Sequence, residues 1–248
     1  MTAPIIIWFR RDLRLADQAA VRAAAENGAP IIPVYILDDK LPKHRRMGAA
    51  SRWWLHHSLR SLDESLQQGG ARLILLKGKS DEVLAELAKS TKASAVHCIR
   101  HYEPWWRNTE KAVAKALPGA CDLVRHDGNY LMPPGSVTTG DGAPYKIFTP
   151  FWRALYQHMP PHGLMAAPEA FSGPSKWPAS DVLEDWNLLP ERPNWANGFA
   201  KMWAPGEAGA AHRLEDFADI AAHYDSDRNL PSIDGSSFLS PHLHFGEI

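Results

Sequence analysis

Apolar and polar positions change places along the first 125 residues in a regular rhythm. Ile5 to Phe9 is a short apolar run, followed by a polar turn and a helical stretch from Asp17 whose apolar stripe is Ala20, Val21 and Ala24. Asp17 is placed to cap that helix and Asn27-Gly28 to end it. Ile31 to Leu37 is the next run, and Pro33 inside it points to a position near a sheet edge, since proline has no N–H for a ladder. Ala49 to Leu66 has the period of a long helix with Leu55, Leu59, Leu62 and Leu66 on one face, stopped by Gly69-Gly70. Leu73–Leu76 predicts a third strand. Ser80 predicts a cap, with Asp81 and Glu82 in the first turn, where the helix dipole favours negative charge, and Val83, Leu84 and Leu87 inward. Ala95–Ile99 predicts a fourth strand, Trp106–Leu117 a helix and Leu123-Val124 a short last strand.

Strand and helix alternate with short connections, and parallel strands need such crossovers. The expected fold class is therefore α/β: a doubly wound parallel sheet of five strands, Rossmann-like in plan, covered on both faces. Ligands of such sheets sit beyond the carboxyl ends of the strands. From Asp127 to about Pro205 the periodicity dissolves, while the composition stays too apolar for a disordered tail; an ordered connector is expected. A helix returns from Gly206 to Tyr224 with Ala210, Leu214, Phe217 and Ala221 on one face, followed by the small-residue stretch Gly235-Ser236-Ser237 and a run from Leu239-Ser240-Pro241. The expected division is 1–126, 127–205 and 206–248. The run at Glu247-Ile248 reads as an element interrupted without a cap, so the last segment is expected to be a truncated piece of a larger domain.

Composition narrows the classes. The 248 residues carry 27 basic and 28 acidic side chains, so a nucleic-acid face would have to be a local patch. The absence of any apolar run of membrane length and of a secretory start, together with only two cysteines, Cys98 and Cys121, leads us to expect a cytoplasmic protein without a disulfide framework. Ten tryptophans are an unusual share, and the prolines are uneven, nine before residue 150 and eleven from there on. The two halves are built differently.

Candidate chemistry is sparse in the first half. Gly135-x4-Gly140 lacks the lysine of a phosphate loop, Asp141 standing in its place, and no G-x-G-x-x-G follows the first strand. Arg10, Arg11 and Arg14 follow that strand, either as partners of Asp12, Asp17 and other surface acids or as ligand contacts. Lys40, Lys43, His44, Arg45 and Arg46 form a basic loop, either solvated or part of a ligand rim. His242-x-His244 has no third ligand at metal spacing, so no metal is expected. His56-His57 reads as packing. In the pairs Trp53-Trp54 and Trp105-Trp106, helical neighbours point about 100° apart, so one ring of each should face outward or into a cleft suited to a flat conjugated ligand. Around Gly235–Ser240, small residues and three hydroxyls suit either a phosphate-bearing ligand or an ordinary turn.

Five segments in order resemble the DNA photolyase and cryptochrome family: Trp8-Phe9-Arg10-Arg11-Asp12-Leu13-Arg14, Ala49–Leu55, Tyr145–Trp152, Trp203–Ala210 and Gly235–Glu247. The resemblance implies an N-terminal α/β antenna domain, a long connector and the first helices of an all-helical domain that holds FAD. It implies light-driven DNA repair by a deoxyribodipyrimidine photo-lyase, in which reduced FAD splits cyclobutane pyrimidine dimers. It places cofactor contacts at Tyr224, Ser236, Ser237, Phe238, Leu239 and Ser240 and a DNA-backbone contact at Arg228. No catalytic residue falls within this chain, which is expected to be inactive alone. Two departures stand out: Ser236 replaces the usual Thr and Phe238 a frequent Arg. The implied partners are FAD, damaged DNA and an antenna (methenyltetrahydrofolate or a deazaflavin), and the protein is expected to be a monomer. The alternatives are a cryptochrome-type light receptor and a stand-alone nucleotide- or folate-binding module.

Overall fold

In the computed structural model, which describes residues 2–39, 46–159 and 163–248, the expected α/β sheet is present. Its strands are β1 (Ile5–Phe9), β2 (Ile31–Leu37), β3 (Ile74–Lys77), β4 (Ala95–Ile99) and β5 (Asp122–His126), in the order β3-β2-β1-β4-β5 with every neighbour parallel. Helices α1 (Ala19–Glu26), α2 (Ala49–Gln68), α3 (Ser80–Thr91) and α4 (Pro104–Ala116) make the crossovers. Odd-numbered residues of β1 pack with Val21 and Ala24 of α1 and with Leu55, Leu59, Leu62 and Leu66 of α2. Even-numbered residues pack with Leu84 and Leu87 of α3 and Val113 of α4. The two-residue period of β1 thus feeds two separate cores, and each fully buried leucine or isoleucine contributes about 1.5–3 kcal/mol.

Several local expectations are corrected. Pro33 lies in an interior strand, and β3 pairs with β2 only from Val34, so on that side proline has no ladder bond to lose. Gln18, not Asp17, caps α1: its side chain accepts from Ala20 N and Val21 N, while Asp17 is turned into left-handed backbone (φ 48). Ser80 is the first helical residue after Lys79, and its N–H and hydroxyl both donate to Asp38 Oδ2 at 2.8 and 2.9 Å. Trp53 and Trp54 are both buried, each 5% exposed, because connector residues cover the side of α2 that faces away from the sheet. Neither ring of that pair faces outward; Trp54 instead lines a cleft of about 360 Å³, the second of the two placements expected.

The connector is ordered, with α5 (Phe148–Tyr156), a 3₁₀ turn at Leu183–Trp186 and α6 (Phe199–Met202). Phe171 packs on Gly69 and donates its N–H to Gly69 O at 2.7 Å. Beyond it α7 (Glu207–Ile220) is followed by a 3₁₀ turn, α8 (Tyr224–Asp227) and α9 (Ser240–Phe245). Of the expected α7 face only Ala210 is buried, and Leu214 remains 46% exposed. The expectation of an uncapped run near residue 247 is also corrected. Gly246 adopts a left-handed conformation and its N–H and that of Glu247 return to Leu243 O and His242 O, closing α9.

Candidate functional site

The strand order puts a topological switch between β1 and β4, where the loops leaving their carboxyl ends part to opposite faces and open a crevice. Arg10, the first residue past β1, is spent on structure. Its Nη1 donates to Glu110 Oε1 at 2.8 Å and its Nη2 to Ile99 O, and the guanidinium lies 4.4 Å from the Trp8 ring centroid and 5.2 Å from that of Trp106. Asp12 is buried, accepting Arg10 N at 2.6 Å and Gln18 Nε2 at 2.7 Å. Burial pushes its carboxyl pKa up, against the opposing pull of Arg10. Arg14 donates to three carbonyls, those of Gly246, Asp17 and Gly128. The expected pairing of these arginines with Asp12 and Asp17 is replaced by Glu110 and by backbone carbonyls.

Arg11 differs. Among the described residues it has no hydrogen bond or ion pair, and it lines two adjoining cavities at the carboxyl edge. One, of about 60 Å³, is walled by Trp8, Tyr35, Met47, Trp106 and Phe245. Arg46 also lines it; Lys40, Lys43, His44 and Arg45 of the basic loop lie outside the described residues. The other, of about 300 Å³, sits at the switch point between His101, Glu103, Asn129, Tyr130 and His244. His101 is 4% exposed, its Nε2 has no partner among the described residues, and Asn129 Nδ2 lies 3.5 Å from its Nδ1. Burial, then the charges of Arg10 and Arg11, hold its pKa down to about 2, so the imidazole is neutral. This edge therefore offers aromatic walls, two arginines, Arg11 and Arg46, without an ion-pair partner among the described residues, and a neutral buried imidazole. Sequence reasoning reached Arg11 only as one of three arginines and missed His101 and Asn129, which become neighbours only through the strand order.

The C-terminal segment is tied to this edge by two carboxylates. Glu207 Oε2 and Oε1 accept Leu15 N and Ala16 N, each at 2.8 Å. Glu247 is fully buried; Oε1 accepts Trp54 Nε1 at 3.0 Å and the Ser58 hydroxyl, and Oε2 accepts His242 Nδ1 at 2.6 Å. Leu13 N donates to Phe245 O at 3.1 Å.

The residues expected to hold cofactor and DNA lie on this segment in two groups. Tyr224 and Arg228 stand together at α8, both exposed, with the Arg228 guanidinium 5.4 Å from the Tyr224 ring centroid. Gly235 packs so closely on α8 that an added Cβ would lie 2.6 Å from Asp227 Cβ, which pins the following loop against the helix. In that loop Ser236 and Ser237 are half-buried, Leu239 is buried and Phe238 has left-handed backbone (φ 53). Ser237 Oγ accepts Leu239 N at 3.4 Å, leaving its O–H for an outside acceptor. Ser240 alone of these residues lines an aromatic cleft of about 360 Å³, with Trp54, Phe199, Trp203 and Phe245. Among the described residues no group of three His, Cys, Asp or Glu could hold a metal ion, and no helix is long and apolar enough to cross a membrane.

A doubly wound sheet with a crevice at its switch point, wrapped by a connector and carrying a short helical segment, defines a Rossmann-like α/β domain extended by helices. A profile of the DNA photolyase family matches residues 5–171. The chain belongs to the DNA photolyase family. It is 43% identical over its whole length to the deoxyribodipyrimidine photo-lyase of Agrobacterium fabrum, covering 51% of that protein. It is 33% identical over 98% of its length to cryptochrome-1 of Arabidopsis thaliana, covering 36% of it. The crystal structure of a bacterial class III photolyase from Agrobacterium tumefaciens superposes with a TM-score of 0.94 at 42% identity, covering all of this chain and 51% of that one. The chain spans about half the length of the photo-lyases it matches.

Proposed function

We propose that this chain supplies the light-collecting domain and one wall of the flavin site of a deoxyribodipyrimidine photo-lyase, acting on cyclobutane pyrimidine dimers in DNA. The observation that carries the reading is the coincidence of the family match with a sheet-edge crevice lined by Trp8, Tyr35 and Trp106 and by Arg11, which has no ion-pair partner among the described residues. In this reading the half-buried Trp106 ring stacks on a flat antenna, methenyltetrahydrofolate or a deazaflavin, lying along the two adjoining cavities, and Arg11 and His101 orient its polar edge. When bound, the antenna supplies absorption in the near ultraviolet and blue.

Ser236, Ser237, Ser240 and the backbone of Phe238 and Leu239 would hold the phosphates of FAD, and Tyr224 would flank them. The hydroxyl left free at Ser237 and the close seat of Gly235 on α8 fit that role. FAD, when bound and reduced, supplies the electron that opens the dimer's cyclobutane ring. The chain's own groups do not touch that bond: they bind, orient and keep the crevice dry. Arg228, exposed at α8, would meet a DNA phosphate.

The test is a chimera in which this chain replaces the matching half of the Agrobacterium photo-lyase. It is expected to retain FAD and remove cyclobutane dimers from DNA under blue light and not in the dark. A folded chimera that holds FAD yet leaves dimers untouched in the light would overturn the reading.

A further inference from the structure

Exposed apolar side chains are sorted unevenly along the chain. Among the described residues, no large hydrophobic side chain before Tyr130 is exposed, whereas the connector and the C-terminal segment expose many. A continuous group of them lies on α5. Phe148, Trp152 and Tyr156 follow at intervals of four, so they share one face of the helix, and they are 71%, 40% and 65% exposed. Their rings form a row: Phe148 and Trp152 lie nearly parallel with centroids 6.2 Å apart, and Trp152 and Tyr156 are 6.1 Å apart. Leu155 is the one buried residue of the helix.

Three large rings held in water on one helix face mark a surface that an apolar partner covers. The stretch that bears α5 is tied at both ends to the loop after β1. Gly128 O accepts Arg14 Nη2 at 3.3 Å, and Met165 O accepts Asp17 N at 2.7 Å. The same Arg14 donates to Gly246 O at 3.2 Å, so the stretch leaves and returns beside the end of α9. The charge near the rings has one sign. No acid occurs between Asp141 and Glu169, and Lys146 and Arg153 are exposed without an ion pair among the described residues. Aromatic rings with an arginine and no carboxylate have the composition of a protein–protein contact. The photo-lyases that the chain matches are about twice its length, so they hold as much chain again to cover such a face.

We propose that the aromatic row of α5 is a docking face for the companion half of a photo-lyase, which meets it with an apolar groove bordered by carboxylates. The identity of that partner rests on the photo-lyase reading above. Phe148 and Trp152 are the anchors, entering the groove from one helix face, and Lys146 and Arg153 fix the register from the rim. The connector is thus an interdomain contact in its own right, in addition to the segment that bears the flavin loop.

The experiment uses the full-length chimera described above and the isolated chain. Hydroxyl-radical labelling, read by mass spectrometry, reports how far each ring meets water. Labelling of Phe148, Trp152 and Tyr156 is expected to fall about tenfold in the chimera relative to the isolated chain, as for rings at the dry core of an interface. Trp152→Ser is expected to leave the thermal midpoint of the isolated chain unchanged and to restore labelling of Phe148 and Tyr156 in the chimera. Equal labelling of the rings in the isolated chain and in a folded chimera overturns the proposal. A lowered midpoint for Trp152→Ser in the isolated chain assigns the row to the chain's own core and overturns it as well, whether or not the chimera folds. Rings that stay labelled in the chimera until single-stranded DNA is added make the face a nucleic-acid surface, which also overturns it. Covered rings in a chimera that holds no FAD keep the docking face and remove the flavin reading.

Discussion

Arg10→Ala is expected to lower the stability of the α/β domain by about 3–5 kcal/mol, the range for removing one partner of a buried ion pair. Both side chains of the Arg10–Glu110 pair are only 2% exposed. The change would leave the Glu110 carboxylate buried with His101 N–H at 3.2 Å and the more distant Arg125 at 3.8 Å. It would also free the carbonyl of Ile99 and empty the space between Trp8 and Trp106. The cost is mainly an uncompensated charge, so Arg10→Met combined with Glu110→Leu should recover most of the loss. Urea denaturation followed by tryptophan emission measures both. A loss below about 1 kcal/mol for Arg10→Ala, typical of a solvated surface pair, would contradict the assignment of this arginine to the fold.

Glu247→Ala is expected to cost about 3 kcal/mol, concentrated in the C-terminal segment. Three buried donors, on Trp54, Ser58 and His242, would lose their common acceptor at once. Hydrogen exchange should then show protection over residues 239–248 falling about a hundredfold, while β1 and β4 change little. Glu247→Gln keeps the volume and one carbonyl oxygen, and should recover part of the protection. Equal loosening of the sheet and of α9 would mean that Glu247 acts on the whole domain and not as a tie between α2 and α9. The C-terminal segment is held unevenly: α7 exposes most of its length, whereas α9 is anchored through Phe245 and Glu247.

Which parts of this molecule could be read from sequence follows from the range of the interactions involved. The short apolar runs of the strands and the leucine face of α2 are local patterns, and both appear where the sequence puts them. The fate of the arginines after β1 is not local. Arg10 finds its acid one hundred residues away, and Arg14 reaches Gly246 across 232 residues. Trp53 and Trp54 are partly legible: helical spacing asks for one ring outward or in a cleft, and Trp54 lines a cleft, but its walls come from the connector and α9. The crevice is legible only as a rule about carboxyl edges. Its occupants, His101 and Asn129, come from the loops after β4 and β5 and carry no mutual sequence signal. The ties at Glu207 and Glu247 escape for the same reason, although their motifs drew attention to the segments that bear them.

The sheet-edge crevice as the seat of a light-absorbing ligand is tested most directly by titrating the purified chain with methenyltetrahydrofolate and with a deazaflavin. One of the two should bind with one-to-one stoichiometry and quench tryptophan emission, and Trp106→Ala should weaken it at least tenfold, the loss of one stacking face. Binding of neither compound, or binding that Trp106→Ala leaves unchanged, would contradict it.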